Sequence, residues 1–324
     1  MIRLYLLFAL VGCGAGGDDM LGPDGGGDDG GGGSDVGSNG DGGPDLSGVP
    51  PGCVAGRATT DRPDDNTYDQ IHVVYVLPSD GVDHQFDTND KICNSVRSVA
   101  TWFHTAAGDQ SLRFDTQGGL IDITFVRLTK TDAEMRGTDP NNTDVNTGTA
   151  FVRERIERGL EAINLIKANK LYAVYYDGSS VYACGGGAYP PLIQDRVGAM
   201  YLRGMPPGVT VACGDSRPWG RASLVPDYID YGILHELTHS LGFVPDAAPH
   251  EHAMGHVYDG TADSARDLMY SPRIGGSDPP WNIDAGLLLD INRDDYYTTS
   301  PALDLRKSTL LSPLASDAVR PIGW

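Results

Sequence analysis

The sequence predicts an α/β domain, with a largely parallel or mixed twisted sheet, helices packed on it, and a smaller loop-rich C-terminal part. Three observations carry this. Short β-branched runs alternate with segments of helical period, which is the order of a sheet covered by helices. The strongest apolar runs, such as residues 71–77 (IHVVYVL), are continuous rather than alternating, as in strands buried on both faces. Beyond residue 242 the periodicity fades into Gly- and Pro-punctuated chain.

The elements follow in order. Residues 71–77 end at Pro78 and read as a buried strand. Residues 94–107 (NSVRSVATWFHTAA) carry apolar residues at helical spacing, with Gly108 as a stop. Residues 111–114 and 121–128 read as strands on either side of a Gln117-Gly118-Gly119 turn. Residues 149–168 form the clearest amphipathic helix, with opposite charges interleaved on the outer face. Residues 171–176 and 197–202 read as strands around a Gly/Pro-rich loop at 183–194. Residues 228–241 read as the last strong helix, followed by loop as far as 285–292.

Composition bounds the function. The chain has 324 residues, with 24 basic against 44 acidic side chains and a formal charge of −20. Nucleic-acid binding needs a basic face to displace counterions, so that class is excluded as a partner. Docking on anionic head groups is excluded for the same reason. Residues 1–12 (MIRLYLLFALVG) combine Arg3 with an apolar run too short to span a bilayer, and Cys13 follows directly. That order resembles a bacterial lipobox. It implies a lipoprotein signal peptide over 1–12, an acylated Cys13, and export to the periplasmic or cell-surface side of a bacterial membrane. Several acyl chains hold a protein durably where one does not.

Residues 13–52 are expected to be a disordered tether. Between positions 14 and 48 there are 16 Gly and 8 Asp, with no Lys or Arg. Such a segment buries too little apolar surface to offset chain entropy. It lacks the nine-residue period of calcium-binding Gly/Asp repeats. Residues 53–324 then form the domain. They contain Cys53, Cys93, Cys184 and Cys213, for which three disulfide pairings exist. Sequence proximity favours Cys53–Cys93 and Cys184–Cys213. A four-cysteine zinc site is not expected, because no CxxC pair occurs.

Residues 235–239 read His-Glu-Leu-Thr-His. On a helix, positions four apart share a face about 5–6 Å apart, so His235 and His239 can reach one metal ion. Glu236 is offset around the helix and is placed to hold and deprotonate a water at the ion's open position. With 8 His in the chain, about 0.004 chance matches to this pattern are expected. Ile233, Leu234, Leu237 and Leu241 would bury the helix's other flank.

With Gly242 at the next expected place, His235-Glu236-Leu237-Thr238-His239-Ser240-Leu241-Gly242 resembles the metzincin group of zinc metallopeptidases. Asp267-Leu268-Met269-Tyr270 is similar to that group's Met-turn, with Met269 beneath the metal. The resemblance covers residues 235–270 and is architectural elsewhere. It implies a metzincin-like catalytic domain, a Zn2+ cofactor, and a protein or peptide substrate. The chain departs from the group where the third ligand should stand, because position 245 is Pro. Asp246 lies one residue beyond, and His250, His252 and His256 follow. The group includes members resembling snapalysin, with an Asp third ligand, and members resembling leishmanolysin, with an insertion before a third His. The 13 residues from His256 to Met269 suit a ligand followed soon by its turn. That favours His256, with Asp246 as the alternative. Tyr270 is a candidate for the oxyanion partner.

Two other classes stay open. One is a non-catalytic surface binding or adhesion lipoprotein with a structural metal, which a fourth protein ligand would favour. The other is a zinc hydrolase of a non-peptide amide or ester.

Overall fold

The computed structural model describes residues 48–321, apart from 109, 137–151, 189–195, 207, 243, 253–254, 273–277 and 298–304. The expected signal peptide, Cys13 and the tether as far as residue 47 lie outside the described residues. Val49, counted in the tether, packs against the core, and the Gly52 carbonyl accepts from the Ile121 N–H.

The fold is mixed α/β. A five-stranded sheet is built from β1 (Gln70–Leu77), β2 (Ile123–Arg127), β3 (Lys170–Tyr176), β4 (Gly185–Gly186) and β5 (Val197–Tyr201). Its order is β2-β1-β3-β5-β4. All pairs are parallel except β4 on β5, which is antiparallel. Every residue of β1, β3 and β5 is buried, as the continuous apolar runs predict.

Side chains alternate between the faces. Val73, Tyr75 and Leu77 enter one core with α1 (Lys91–Ala107) and α3 (Tyr228–Leu241). Val74 and Val76 enter a second core with Ile156 and Leu160 of α2 (Val152–Ala162). The sheet is therefore covered on both sides.

Several boundaries differ from the sequence reading, each for a local reason. Helix α1 begins at Lys91 rather than 94, behind Asp90 at φ 66°. Helix α2 stops at Ala162 rather than 168, and two residues on Asn164 adopts a left-handed φ of 58°. The turn sends Leu165 back onto the core, where its carbonyl accepts from the Tyr172 hydroxyl. The loop expected at 183–194 contains β4, a strand made of two glycines. Around residues 285–292 the chain makes two short 3-10 turns, Ile283–Ala285 and Ile291–Arg293.

Both cysteine pairs favoured by proximity are joined. Cys53–Cys93 ties the start of the domain to α1, and Cys184–Cys213 anchors the chain beside β4, with Cα separations of 5.8 and 5.6 Å. On the sheet's opposite end, buried Lys170 donates to Asp61, Asp64 and Asp115 at 2.6–2.8 Å. Burial alone would lower its pKa, but the three carboxylates outweigh burial and raise it. Removing one partner of such a buried pair typically costs about 3–5 kcal/mol, so this contact pins the segment before β1 to the sheet.

Candidate metal centre

The site is built on α3. Asp227 caps the helix by accepting from the Tyr228 N–H, and its own N–H donates to the Asp230 carboxylate in a capping box. Thirteen of the fourteen helix residues are buried, so this helix runs through the interior rather than along a surface. Ile233, Leu234, Leu237 and Leu241 supply the apolar flank. Close approach to β5 is possible because Gly232 meets the Met200 side chain and Gly198 meets the Glu236 backbone.

On this helix His235 and His239 converge. Their Nε2 atoms lie 3.2 Å apart. Nitrogens about 2.0–2.1 Å from one shared tetrahedral ion would be separated by about 3.3–3.4 Å, so the spacing fits a common cation. His235 donates from Nδ1 to the Leu268 carbonyl at 2.6 Å, which leaves Nε2 as its ligand atom.

After the helix the chain passes Pro245 and Pro249 into a short hairpin of β6 (Glu251–His252) and β7 (His256–Val257). Gly255 takes a φ of 76° just before β7, a conformation that favours glycine. His256 is thereby brought against both helix histidines, with ring centroids 5.2 Å from His235 and 4.7 Å from His239. All three are buried, and each offers a ligand atom within 4.8 Å of the others, so this group could hold a metal ion.

The other candidates lie elsewhere. Asp246 is exposed and is not in the group. His250 is half-buried and bonds Asp295 through Nδ1 at 3.0 Å. His252 faces His256 across the hairpin, with its ring near Tyr258.

Residues 267–270 form a tight turn closed by the Tyr270 N–H on the Asp267 carbonyl. Met269 within it is fully buried, and its carbonyl accepts from the Val257 N–H at 2.9 Å. The turn thus holds His235 through Leu268 and the His256 strand through Met269. Tyr270 is buried, and its hydroxyl donates to the Pro279 carbonyl. The hydroxyl of the oxyanion candidate is thus engaged with the chain's own backbone.

Asp267, Trp281 and glycines of the 185–187 stretch were given no role of their own from the sequence. Asp267 is fully buried and accepts from the Met269 and Ile291 N–H groups and the Tyr296 hydroxyl, which fixes the turn. Burial pushes its carboxyl up to about 7. Trp281 donates to the Asp267 carbonyl and sets its ring edge-on to His235, 5.7 Å away. Gly185 passes directly against the Glu236 side chain, and Gly187 against the Glu236 backbone and His239. Of these, only Asp267 had a visible signal, its place at the head of the Leu-Met turn.

Burial dominates the electrostatics of the group that could hold a metal ion. Burial lowers the His235 pKa to about 4 and that of His239 well below the ordinary value, where His256 and His235 add to the effect. The helix imidazoles are therefore neutral at pH 7, the form that ligates. Burial pushes Glu236 up to about 8, against a smaller lowering by Arg153. Glu236 Oε2 and His239 Nδ1 are buried without a hydrogen-bond partner among the described residues. A buried carboxylate and the two neutral helix imidazoles would both gain from a positive ion.

Two further groups of potential ligands differ in kind. In the group of Asp61, His72, Asp115 and Asp122, the Lys170 ammonium sits on Asp61 and Asp115 and Arg62 on Asp122, so positive charge is already present. His250, Asp294 and Asp295 form a partly exposed cluster. No protein-family model matches the chain, and no curated protein matches it.

Proposed function

We propose that this chain is a lipid-anchored, exported zinc peptidase of metzincin-like architecture, with His235, His239 and His256 as metal ligands and Glu236 as general base. The convergence of the three histidines beside a buried carboxylate whose Oε2 has no hydrogen-bond partner among the described residues carries the reading. Three imidazoles and no fourth ligand among the described residues match a catalytic zinc set, which keeps one position open. A structural site has no use for Glu236.

When bound, zinc lowers the pKa of its water from about 16 toward 7 and polarises the scissile carbonyl. Glu236 accepts the proton from the attacking water and delivers it to the leaving amine. His235 is kept in its ligating orientation by the Leu268 carbonyl. The turn at 267–270 sets the distance between helix and hairpin.

The purified domain should cleave a denatured protein, lose that activity to a chelator, and regain it with added Zn2+. Cleavage that persists after the metal is stripped would overturn the metal mechanism. Hydrolysis confined to non-peptide amides or esters would move the enzyme to another substrate class.

The lipid anchor rests on the order Leu10-Val11-Gly12-Cys13 and the spacer that follows. No helix among the described residues is long and apolar enough to cross a membrane. Intact-mass analysis of the exported protein should give an acylated Cys13 as the first residue. A mature chain that starts elsewhere with an unmodified Cys13 would refute the anchor.

A further inference from the structure

Glu236 has no described hydrogen bond to hold its Oε2 in place, so packing must orient it. The packing comes from β4. A Cβ added at Gly185 would lie 2.5 Å from Glu236 Oε1 and 3.0 Å from its Cδ and Cγ, far inside van der Waals contact. Neighbouring glycines meet different things. A Cβ at Gly186 would strike the Tyr201 hydroxyl at 2.5 Å. One at Gly187 would lie 2.5 Å from the Glu236 backbone carbonyl and 3.0 Å from the His239 Cβ. None of the three has a positive φ, so space and not backbone conformation is what excludes a side chain.

The strand cannot easily draw back. Gly185 pairs with Met200 and Gly186 with Ala199, the Tyr201 N–H donates to the Cys184 carbonyl at 2.7 Å, and Cys184 is bonded to Cys213. A side chain at 185 would therefore be accommodated by the mobile end of Glu236, while one at 187 would press on the helix itself.

We propose that Gly185 is a positioning residue for Glu236. Its missing side chain is the slot that seats the general-base carboxylate, and Cys184–Cys213 with the β4–β5 pairing holds the slot in place. This rests on the hydrolytic reading above, and it makes a prediction that reading does not. Alanine at 185 displaces the carboxylate at little cost to the fold. A displacement of about 1 Å of a reacting group can cost about 100-fold in rate.

The test compares Gly185→Ala with Gly187→Ala in the metal-loaded protein. Gly185→Ala should keep the parent's zinc stoichiometry and melting temperature and lose about 100-fold in kcat with little change in KM. Gly187→Ala should lower the melting temperature and weaken metal retention, because its clash is with main chain. A crystal structure of Gly185→Ala should show the Glu236 carboxylate turned out of its parental place, with His235, His239 and His256 unmoved. Parental kcat in Gly185→Ala, or a loss only in step with stability and metal, overturns the proposal. If the parent hydrolyses nothing, the hydrolytic reading fails on its own. The crystal structure then decides the slot, and an unshifted carboxylate overturns it.

Discussion

Glu236→Gln should retain about one metal ion per chain and lose hydrolysis by at least about 100- to 10,000-fold, the range that a positioned general base contributes. The substitution is nearly isosteric, so the contact with Gly185 is preserved and the fold is not asked to repack. Glutamine cannot take a proton from water. It is also neutral, and burial already disfavours the charged carboxylate at this position. The variant should therefore be no less stable than the parent when metal is absent. Metal analysis alongside single-turnover hydrolysis checks both halves. Activity near the parental level would remove Glu236 from the mechanism, whereas loss of metal would recast it as part of the ligand set.

The second large effect concerns the third ligand. His256→Ala should weaken zinc retention by well over the 10- to 100-fold that loss of a supporting outer group typically costs, and should abolish hydrolysis with it. Asp246→Ala should leave zinc affinity at the parental value, because Asp246 is exposed and stands apart from the three grouped histidines. Competition with a chromophoric chelator at fixed pH reads both variants on one scale. The reverse pattern would restore the short-spaced carboxylate reading. Equal loss in both would mean that the loop between Gly242 and β7 rearranges when metal binds.

Much of this site was legible in the sequence because helical geometry is local. The spacing of His235 and His239, the acid between them and the apolar flank of α3 are all set within fourteen residues. The 228–241 helix is found with those bounds. The strands at β1, β3 and β5 were legible for a related reason, since parallel strands buried on both faces must be apolar throughout. The residue that joins the two helix histidines was harder, because four candidates lay in eleven residues of loop. What separates them is the long-range bond from Val257 to Met269, which places β7, and no local pattern records such a bond. Strand β4 was missed because glycine has little strand propensity. Its Gly185 serves close approach to Glu236, which becomes visible only when helix and sheet are packed together. Trp281 and Asp267 support His235 through the chain's loop-rich end, where no periodicity reveals a partner.

X-ray absorption at the zinc edge of the metal-loaded domain tests the central claim most directly. Three imidazole nitrogens and one water-derived oxygen at about 2.0–2.1 Å are expected, with one imidazole contribution lost in His256→Ala and the spectrum unaltered in Asp246→Ala. A parent spectrum of two imidazoles with a carboxylate, or of four protein ligands and no exchangeable oxygen, would contradict the account of an open three-histidine zinc centre.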